Sequence, residues 1–561
     1  MKMFKCFFLL FCLAASLYAA DWDGSMSEPK STKEIDGKTF YVITCAEELT
    51  WFKNQVNKGA SEINAVLTND IHFVDDTSGI STLSWTPIGK DSSAMFNGIF
   101  DGAGRTIYGL YSYDGVAGLF GVTGVNAVIR NVSLERMLIE GSIYGGGIVA
   151  INGGTVSSCT SGGSVLVSNT SKIDPVTYSG GIVGWNEGKV TGCMNDGDFF
   201  VKAYVGDSLY VGGVVGRNEG TVDNCMNRGL LSYDEGNSSI KFFHFGGVVG
   251  WNGGEISKCM NSGGGGFCSK SYACGIKYEN RFIAGGITSL NAGSVRDCLN
   301  LGAFSRKGNS SGLVGSAESS SSLFNSYSAV DSALYGVTER GYGTVTNCYF
   351  DYDIFKSTYS SAGVKMHTSD MQSDRFAWIL NTTNGTAENS GVWSRDSEDY
   401  PIFADSLHKP IYKVVFDDSV ETTNRYTNYK GVVVFPENPE PLDGKKFRGW
   451  YTDDSVKVKE TTVFTKDQTV YAVYCEPSSC PAEPSDAIIA NLPSPTWSVT
   501  VLGRNFHVHA APIGKSYALF DLQGKVLAKG RIESSEMAIS APRAGGYIVR
   551  IGERSVRMNA R

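Results

Sequence analysis

The sequence predicts an all-β protein whose main part is a parallel β-helix, a solenoid of stacked coils. The first observation is a repeat: GGIVGWNEGKVTGCMNDG at 180–197 returns as GGIVAINGGTVSSCTSGG, GGVVGRNEGTVDNCMNRG, GGVVGWNGGEISKCMNSG and GGITSLNAGSVRDCLNLG. The second is its make-up, because short β-branched runs between Gly and Asn are strand and turn signals, and helical periodicity is absent. The third is composition: 67 of 561 residues are glycine, without a collagen period.

The N-terminus is predicted to be a secretory signal peptide, residues 1–20. MKMFKCFFLLFCLAASLYAA has a basic start, an apolar middle and small residues before the cleavage site. No later run reaches the ~18 apolar residues of a membrane span. A net charge of −8 lacks the clustered basic groups on which nucleic-acid binding depends. We therefore expect an exported protein with no membrane span in the mature chain, no nucleic-acid partner and no cofactor.

The β-helix domain is predicted to span residues 21–410, and each coil contributes one member to several columns of equivalent side chains. Turn asparagines in register are predicted to hydrogen-bond up the stack, as amides do in other stacked sheets. The glycines either supply a positive φ or permit close backbone approach at the corners. Stacking buries a continuous core that no single coil could bury. The asparagines are Asn152, Asn186, Asn218, Asn252 and Asn291.

The repeats resemble the GLUG motif, which occurs in bacterial surface adhesins and beside the catalytic parts of some secreted peptidases. Flanking segments are also similar to the corresponding parts of such proteins. These segments are EELTWFKNQVNKGASEINAVLTNDIHF, WTPIGKDSSAMFNGIFDGAGRTIYGL, and DRFAWILN with GVWSRDSEDYPIF. The resemblance covers roughly residues 36–404. It implies a β-helix architecture and adhesion, and it says much less about any activity.

One cysteine closes each repeat, and three interpretations compete. Zn²⁺ needs about four converging ligands, whereas one thiol per coil forms a line. Disulfides between adjacent coils are geometrically possible, and export permits oxidation. Weaker copies carry Val132 or Ser326 at this position, which favours a small, buried side chain. The column consists of Cys159, Cys193, Cys225, Cys259 and Cys298.

Other cysteines are candidates for disulfides. Cys475 with Cys480 would close a short loop in a linker, and Cys268 with Cys274 would close an inserted loop. Cys45 has no obvious partner.

A second column precedes the turn asparagine and reads Ile151, Trp185, Arg217, Trp251 and Leu290. Unpaired buried charge is expensive, so an arginine between two tryptophans favours a column that faces outward. Trp185 and Trp251 would then lie two strand spacings apart, about 9.6 Å, and could stack on sugar rings or anchor a protein. The alternative is that these residues cover the edge of the core, with Arg217 extending its charge to water.

Three further segments follow the repeats. Residues 411–474 contain FRGWYTD and TVFTKDQTVYAVY and resemble the internalin-type B-repeat (the Listeria-Bacteroides repeat), which implies a small β-grasp-like module without chemistry. Residues 475–496 are proline-rich and predict a stiff linker. Residues 497–561 carry YALFDLQGKVL and APRAGGYIVRIG and resemble the C-terminal sorting domain of type IX secretion. That resemblance implies a small β-sandwich, recognition by the secretion machinery and display on the outer surface of a Gram-negative cell.

No catalytic site is predicted. Asp351 and Asp353 would share one strand face at a spacing that glycoside hydrolysis can use, but nothing nearby supplies a base. His507 and His509 alternate onto one face, and two ligands without a third favour ordinary histidines over a metal site. Neither a His-Glu-x-x-His helix nor a glycine-framed serine nucleophile is evident.

The sequence therefore favours a secreted, surface-displayed, non-catalytic β-helix protein that binds a polysaccharide or a surface protein. The candidate binding residues are Trp185, Arg217 and Trp251. The rival hypothesis is a carbohydrate-active enzyme, a polysaccharide lyase or glycoside hydrolase, on the same scaffold.

Overall fold

The computed structural model describes most of the chain after residue 20. The described residues are 21–74, 79–167, 176–201, 207–233, 241–263, 265–266, 282–303, 309–331, 333–339, 343–355, 361–382, 388–396, 399–479, 498–502, 505–509, 516–521, 526–532, 534, 536–542, 545–551 and 554–560. The proposed signal peptide and most of the proposed linker lie outside them. The chain forms two compact units, Met1–Glu440 with Gly449–Val473, and Pro441–Arg448 with Tyr474–Arg561.

The main part of the first unit is a parallel β-helix, as the sequence predicts, because its strands pair in parallel with the equivalent strands of the next coil. Four parallel stacks make up the coils, each strand pairing with its equivalent one coil later. Stack 1 contains Val176–Gly180, Ser208–Gly212, Phe242–Gly246, Phe282–Gly285 and Asn309–Ser311. Stack 2 contains Phe120–Thr123, Val149–Asn152, Val183–Asn186, Val215–Asn218, Val249–Asn252, Thr288–Asn291 and Val314–Ala317.

Stacks 3 and 4 complete each coil. Stack 3 contains Thr155–Ser157, Lys189–Thr191, Thr221–Asp223, Glu255–Ser257, Ser294–Arg296, Ser322–Phe324 and Thr344–Thr346. Stack 4 contains Met194–Asn195, Met226–Asn227, Met260–Asn261, Leu299–Asn300, Tyr327–Ser328 and Tyr349–Asp351. Short strands beside stack 4 are Phe199–Val201, Leu231–Tyr233 and Gly265–Gly266, and later strands are Thr338–Glu339, Ser361–Ala362 and Val364–Met366. Early coils run through the longer strands Ile99–Tyr108, Tyr111–Ala117, Val128–Gly146 and Thr160–Val167.

A helix covers the N-terminal end of the solenoid. Strands Thr32–Ile35 and Lys38–Ile43 form a hairpin, and helix α1, Ala46–Asn57, follows; the short strands Asn64–Leu67 and Ile71–His72 lead into the coils. The ring of Phe52 in α1 lies 6.0 Å from that of Phe100 in the first coils. The helix therefore closes apolar core that would otherwise meet water at the first coil.

The repeated glycine pairs are required by close backbone approach. A Cβ on Gly213 would lie 2.2 Å from the carbonyl oxygen of Gly247, and one on Gly181 would lie 2.3 Å from that of Gly213. Neither glycine has a left-handed φ. Of the two explanations open from the sequence, close approach therefore holds at this corner.

A left-handed residue precedes the cysteine in most coils and makes the bend there. These residues have φ between 46° and 62° and are Ser158, Gly192, Asn224, Lys258, Asp297, Asn325 and Asn347. Five of the seven are Gly, Asn or Asp, the residue types that adopt this conformation most readily, whereas at Ser158 and Lys258 the stacking imposes it.

Two asparagine ladders bind the coils together. In the predicted ladder each amide donates to the next, with Nδ2–Oδ1 distances of 2.8, 2.8, 2.7 and 2.8 Å from Asn152 to Asn291. This prediction is confirmed. A second ladder, not predicted, runs through Asn195, Asn227, Asn261 and Asn300 at 2.8, 2.9 and 2.8 Å. All these amides are buried, so their hydrogen bonds satisfy groups that would otherwise be costly.

The cysteine column lies in the core. The thiols of the five repeat cysteines and of Cys348 are free and buried, and Val132 and Ser326 are equally buried. Burial raises the pKa of Cys348 to about 12 and the pKa of Cys159 well above its usual value. The column therefore consists of buried packing residues with free thiols.

Two short helices cover the C-terminal end. Helix α2, Thr368–Met371, and helix α3, Asp374–Asn381, are followed by the antiparallel pair Trp393–Arg395 and Pro401–Phe403. Phe376 of α3 packs its ring 5.1 Å from Tyr349 of the last coil. This apolar cluster is separate from the main core and includes Tyr327, Met371, Phe376, Leu380, Trp393 and Ile411.

A small mixed sheet follows in the region predicted to be a β-grasp-like module. Lys413–Asp417 pairs antiparallel with Thr422–Tyr426 and parallel with Gln468–Cys475. Lys446–Tyr451 is the remaining strand. Phe416 packs edge-on against Trp450 at 4.9 Å, so the Gly-Trp-Tyr segment supplies core as expected for a packed module.

The second unit contains two antiparallel sheets. One is formed by Ser498–Leu502, Asn505–His509 and Met537–Ser540, the other by Val526–Arg531, Ser516–Asp521, Gly545–Ile551 and Arg554–Ala560. They share a core with buried residues such as Phe506, Leu519 and Val549. The arrangement agrees with the predicted small β-sandwich.

Candidate binding surface

The outward side of stacks 1 and 2 carries two adjoining columns, which we call the aromatic face. The tyrosine column on stack 1, with its first member at the end of Val128–Gly146, consists of Tyr144, Tyr178, Tyr210 and His244. The tryptophan column on stack 2 consists of Trp185, Arg217 and Trp251, in register with one another. Among these residues only His244 is buried, and the others are half-buried.

The tyrosine column is a continuous ladder of stacked rings. Centroids lie 6.1 Å apart for Tyr144 and Tyr178, 5.3 Å for Tyr178 and Tyr210, and 4.3 Å for Tyr210 and His244. Interplanar angles of 10°, 19° and 9° make the rings nearly parallel. Because equivalent residues are one strand spacing apart, the coil repeat itself imposes this stacking.

Arg217 is held between the two tryptophans. Its guanidinium carbon lies 4.6 Å from the Trp185 ring and 4.7 Å from the Trp251 ring. Cation–π attraction of this kind is strongest for Trp and for Arg. The arginine therefore fills the space between the two tryptophan rings.

Polar contacts fix the same guanidinium. Its Nη1 donates to the hydroxyl of Tyr178 at 2.9 Å, and its Nε donates to Glu219 at 3.1 Å. Partial burial alone would lower the pKa of Arg217, but the hydrogen bonds with Glu219 and Tyr178 outweigh it and raise the pKa. Arg217 therefore links the two columns and keeps its charge.

The two columns touch because their strands approach closely. A Cβ on Gly216 would lie 2.5 Å from the backbone nitrogen of Ser179, so only glycine permits this distance. As a result the Trp185 ring lies 5.5 Å from Tyr144 and 6.0 Å from Tyr178. The Nε1–H of Trp185 is buried without an acceptor among the described residues, so ring contacts hold this side chain.

The geometry modifies the sequence-based interpretation of the tryptophan column. The column is aligned and half-exposed, but the ring faces that Trp185 and Trp251 turn toward each other are occupied by Arg217. The stacked tyrosines likewise present ring edges and hydroxyl groups outward rather than ring faces. What the surface offers is a rigid row of amphipathic edges at the spacing of the coils.

His244 ends the tyrosine column inside the protein. Its Nδ1 lies 3.2 Å from the hydroxyl oxygen of Ser289, and that hydroxyl donates to the carbonyl of Ile283. Burial lowers the pKa of His244 to about 4. The ring is therefore neutral at pH 7, and Nδ1 carries the proton it donates to Ser289.

The acidic pair considered for glycoside hydrolysis is not placed as expected. We expected Asp351 and Asp353 on one strand face, but the strand ends at Asp351 and Asp353 lies in the following turn. Asp351 is buried and accepts from the backbone nitrogen of Asp353 and from the Tyr400 hydroxyl. Asp353 is exposed and pairs with His367 at 2.8 Å. Thr368 donates its backbone N–H to Asp353 and its hydroxyl to Asp351, so both carboxylates are engaged in local structural hydrogen bonds.

The remaining candidates show no metal geometry. His507 and His509 lie on the outward side of their strand, and His509 pairs with Glu536 at 2.7 Å. In the part of the chain that is described, no group of three or more His, Cys, Asp or Glu side chains could hold a metal ion. Nor is any described helix long and apolar enough to cross a membrane.

The predicted disulfides stay predictions. Cys475 is disulfide-bonded, but Cys480 lies outside the described residues, as do Cys268 and Cys274. Cys45, for which no partner was predicted, is a free, half-buried thiol.

The tyrosine column was not predicted from the sequence. Its signal was present, since Tyr144, Tyr178 and Tyr210 each lie two residues before a glycine pair. The substitution of histidine in the next coil and the variable residues around it hid the pattern.

Fold and surface together define a parallel β-helix protein with a preformed aromatic face. No protein-family model matches the chain, and no curated protein matches it. Among solved structures it is similar to one from Bacteroides ovatus assigned provisionally as an immunoglobulin A1 protease, with 18% identity, a TM-score of 0.36, and coverage of 66% of this chain and 93% of that one. It is also similar to an IgA1 protease at 13% identity and a TM-score of 0.34, over 59% of this chain and 25% of that one.

Proposed function

We propose that this protein is a secreted, surface-displayed and non-catalytic binding protein, and that the aromatic face binds an extended polysaccharide. The observation that carries the proposal is the ladder of Tyr144, Tyr178 and Tyr210 against the Trp185–Arg217–Trp251 sandwich. Tyrosine and tryptophan supply apolar area together with a polar group at low entropic cost. A row of such groups at a fixed repeat suits a ligand that itself repeats.

Preorganisation supports binding by this surface. Arg217 is already held by both tryptophan rings and by hydrogen bonds with Tyr178 and Glu219, so little side-chain freedom would be lost when a ligand docks. Association costs are reduced when the contact groups are ordered beforehand. Polymer hydroxyl groups would meet the phenolic hydroxyls, while the sugar C–H surfaces would contact the ring edges.

The experiment is retention of the purified full-length chain on a panel of immobilised polysaccharides, with product release measured in parallel. We expect retention without product release on at least one polysaccharide. The double variant Tyr178→Phe with Tyr210→Phe keeps the ring ladder and removes hydroxyl groups, and it should weaken retention at least fivefold. Trp251→Ala should weaken retention further, because Arg217 loses one of its two tryptophan contacts.

Tyr352→Phe is the matched control, since Tyr352 is 48% exposed and lies beyond the last repeat. It should retain the wild-type affinity. Equal retention of the aromatic-face variants and the control would refute binding by this face, and release of oligosaccharide would instead favour the carbohydrate-active enzyme.

A further inference from the structure

A cleft lies at the N-terminal end of the aromatic face. Its volume is about 640 Å³, within the range of small-ligand sites. The lining comes from the loop 91–97 and from the outward side of the first coils. The lining includes Asp91, Asn97, Val116, Val122, Ile151 and Glu187.

The cleft continues both columns of the aromatic face. Val116 is in register with Tyr144 of the tyrosine column. Ile151 is in register with Trp185 of the tryptophan column, and Val122 with Ile151. A chain lying along the face would therefore run directly into the cleft.

The loop closes the far end of this path. Phe96 donates its backbone N–H to Val122 at 3.0 Å, and Gly124 donates to Phe96 at 2.8 Å. Ile88 and Phe96 also form parallel bridges with Phe120 and Thr123 of the first strand of stack 2. Because the loop is hydrogen-bonded to this strand, it forms a fixed wall where the row of coils ends.

The chemistry of the lining is that of a site for a neutral sugar. Val122 and Ile151 form an apolar, half-buried floor against which C–H groups can pack. Glu187 is exposed, and no described residue hydrogen-bonds to the side chain of Glu187 or Asn97. Asp91 is exposed; its Oδ1 accepts hydrogen bonds within its own loop, and its Oδ2 lies 4.0 Å from Lys90 Nζ. Carboxylate and amide groups accept hydrogen bonds from hydroxyls, and the carboxylate of Glu187 repels an anionic sugar.

We propose that this cleft is a subsite for the end of a neutral polysaccharide chain, with the rest of the chain lying along the aromatic face. The proposal rests on the proposed function, since the face must bind the polymer. The apolar floor contacts the terminal sugars, Glu187 and Asn97 accept or donate hydrogen bonds to their hydroxyls, and the wall of loop 91–97 stops the chain.

The test measures Kd by calorimetry for the full-length chain with neutral gluco-, manno-, galacto- and xylo-hexasaccharides and with hexamers of uronic acids. At least one neutral hexasaccharide should bind, and the uronic acid hexamers should bind at least tenfold more weakly. For the neutral ligand, the Kd expressed per mole of saccharide molecules should stay constant from the hexamer to long polymers. Each saccharide molecule, whatever its length, has one end of the kind that the cleft binds. A Kd that falls in proportion to chain length would overturn recognition of an end.

Glu187→Gln and Asn97→Ala should each raise the Kd about tenfold. Ser92→Trp, which changes an exposed loop residue, should block the cleft without touching either group. Glu135→Gln, an exposed carboxylate on a different side of the coil, is the matched control and should leave the Kd unchanged. Thermal unfolding of each variant verifies that the fold is kept.

Four results separate the two proposals. Loss of binding in the cleft variants alone supports the subsite. Binding that persists in all three cleft variants but is lost in Trp251→Ala overturns the subsite and leaves the aromatic face standing. Binding of uronic acid ligands alone by the wild-type protein overturns only the neutral subsite, and no binding of any oligosaccharide or polysaccharide overturns both proposals.

Discussion

Arg217 illustrates how a single side chain can satisfy conflicting demands. A charge placed between two tryptophans is costly if it is unpaired. Here the guanidinium keeps its hydrogen bonds with Tyr178 and Glu219 while its faces contact the rings of Trp185 and Trp251. Two interpretations were open from the sequence: that the column faces outward, and that Arg217 covers the edge of the core while extending its charge to water. Each describes part of this arrangement.

His244 provides a test of burial at one position. Its pKa is lowered to about 4 by burial, whereas a histidine in an unfolded chain titrates near 6.5. Between these values the unfolded chain binds the proton and the folded protein does not, so stability is full above about pH 6.5 and falls as the pH drops toward 4. The free energy of unfolding should fall by roughly 2 kcal/mol between pH 7.5 and pH 5.

The measurement is urea unfolding of the wild type and of His244→Tyr at both pH values. Tyrosine is the residue of the three preceding coils, so the ladder is preserved while the titrating group is removed. The variant should lose less stability than the wild type over this pH interval. Identical pH dependence in the two proteins would show that His244 is not the source.

The asparagine ladders show why one coil specifies its neighbours. The amide of Asn218 accepts from Asn186 and donates to Asn252, and it also donates to the carbonyls of Gly220 and Glu255. Each asparagine is therefore bonded to the coil before and the coil after. A strand slipped by one residue would leave these buried amides without partners, so the ladder fixes the register.

Replacing one member of the ladder with aspartate should be strongly destabilising. Asn218→Asp replaces the donating amide with an oxygen acceptor that faces the Asn252 oxygen and two carbonyls. We expect the free energy of unfolding to fall by about 3 kcal/mol or more. Asn224→Asp is the control, because Asn224 is exposed and aspartate tolerates its left-handed φ of 51°. Chemical denaturation measures both, and equal losses would contradict a special role for the ladder.

The features predicted from the sequence are those in which one residue type recurs at one position. The β-helix, the first asparagine ladder and the small-residue character of the cysteine column belong to this group. The second ladder was equally visible at Asn195 and Asn227, but its position after the cysteine resembled an ordinary turn. Contact between the tyrosine and tryptophan columns could not be predicted, because it depends on how closely Gly216 lets two strands approach. The cleft depends on loop 91–97, which no repeat contains.

The solenoid as a whole is a row of coils in which each contacts mainly its neighbours, so its ends are its weak points. Helix α1 covers one end, where Phe52 packs against Phe96 and Phe100. Helix α3 covers the other, where Phe376 packs against Tyr327 and Tyr349. Phe52 belongs to the main core, whereas Phe376 belongs to the separate cluster at the last coils. Each cover should therefore act first on the coils nearest to it.

The buried thiols report this behaviour coil by coil. Thiolate is the reactive form of cysteine, and burial raises the pKa of Cys348 to about 12, so alkylation requires local or global unfolding.

Phe376→Ala should lower the free energy of unfolding at the C-terminal cover by about 3–5 kcal/mol. In urea concentrations below the unfolding transition, this variant should label Cys348 well before Cys225, as measured by mass spectrometry of peptides. Phe52→Ala is the matched control at the N-terminal cover and should expose Cys159 before Cys348. Equal labelling rates for all these thiols in both variants would mean that the solenoid unfolds as one cooperative unit, and that the covers stabilise it only globally.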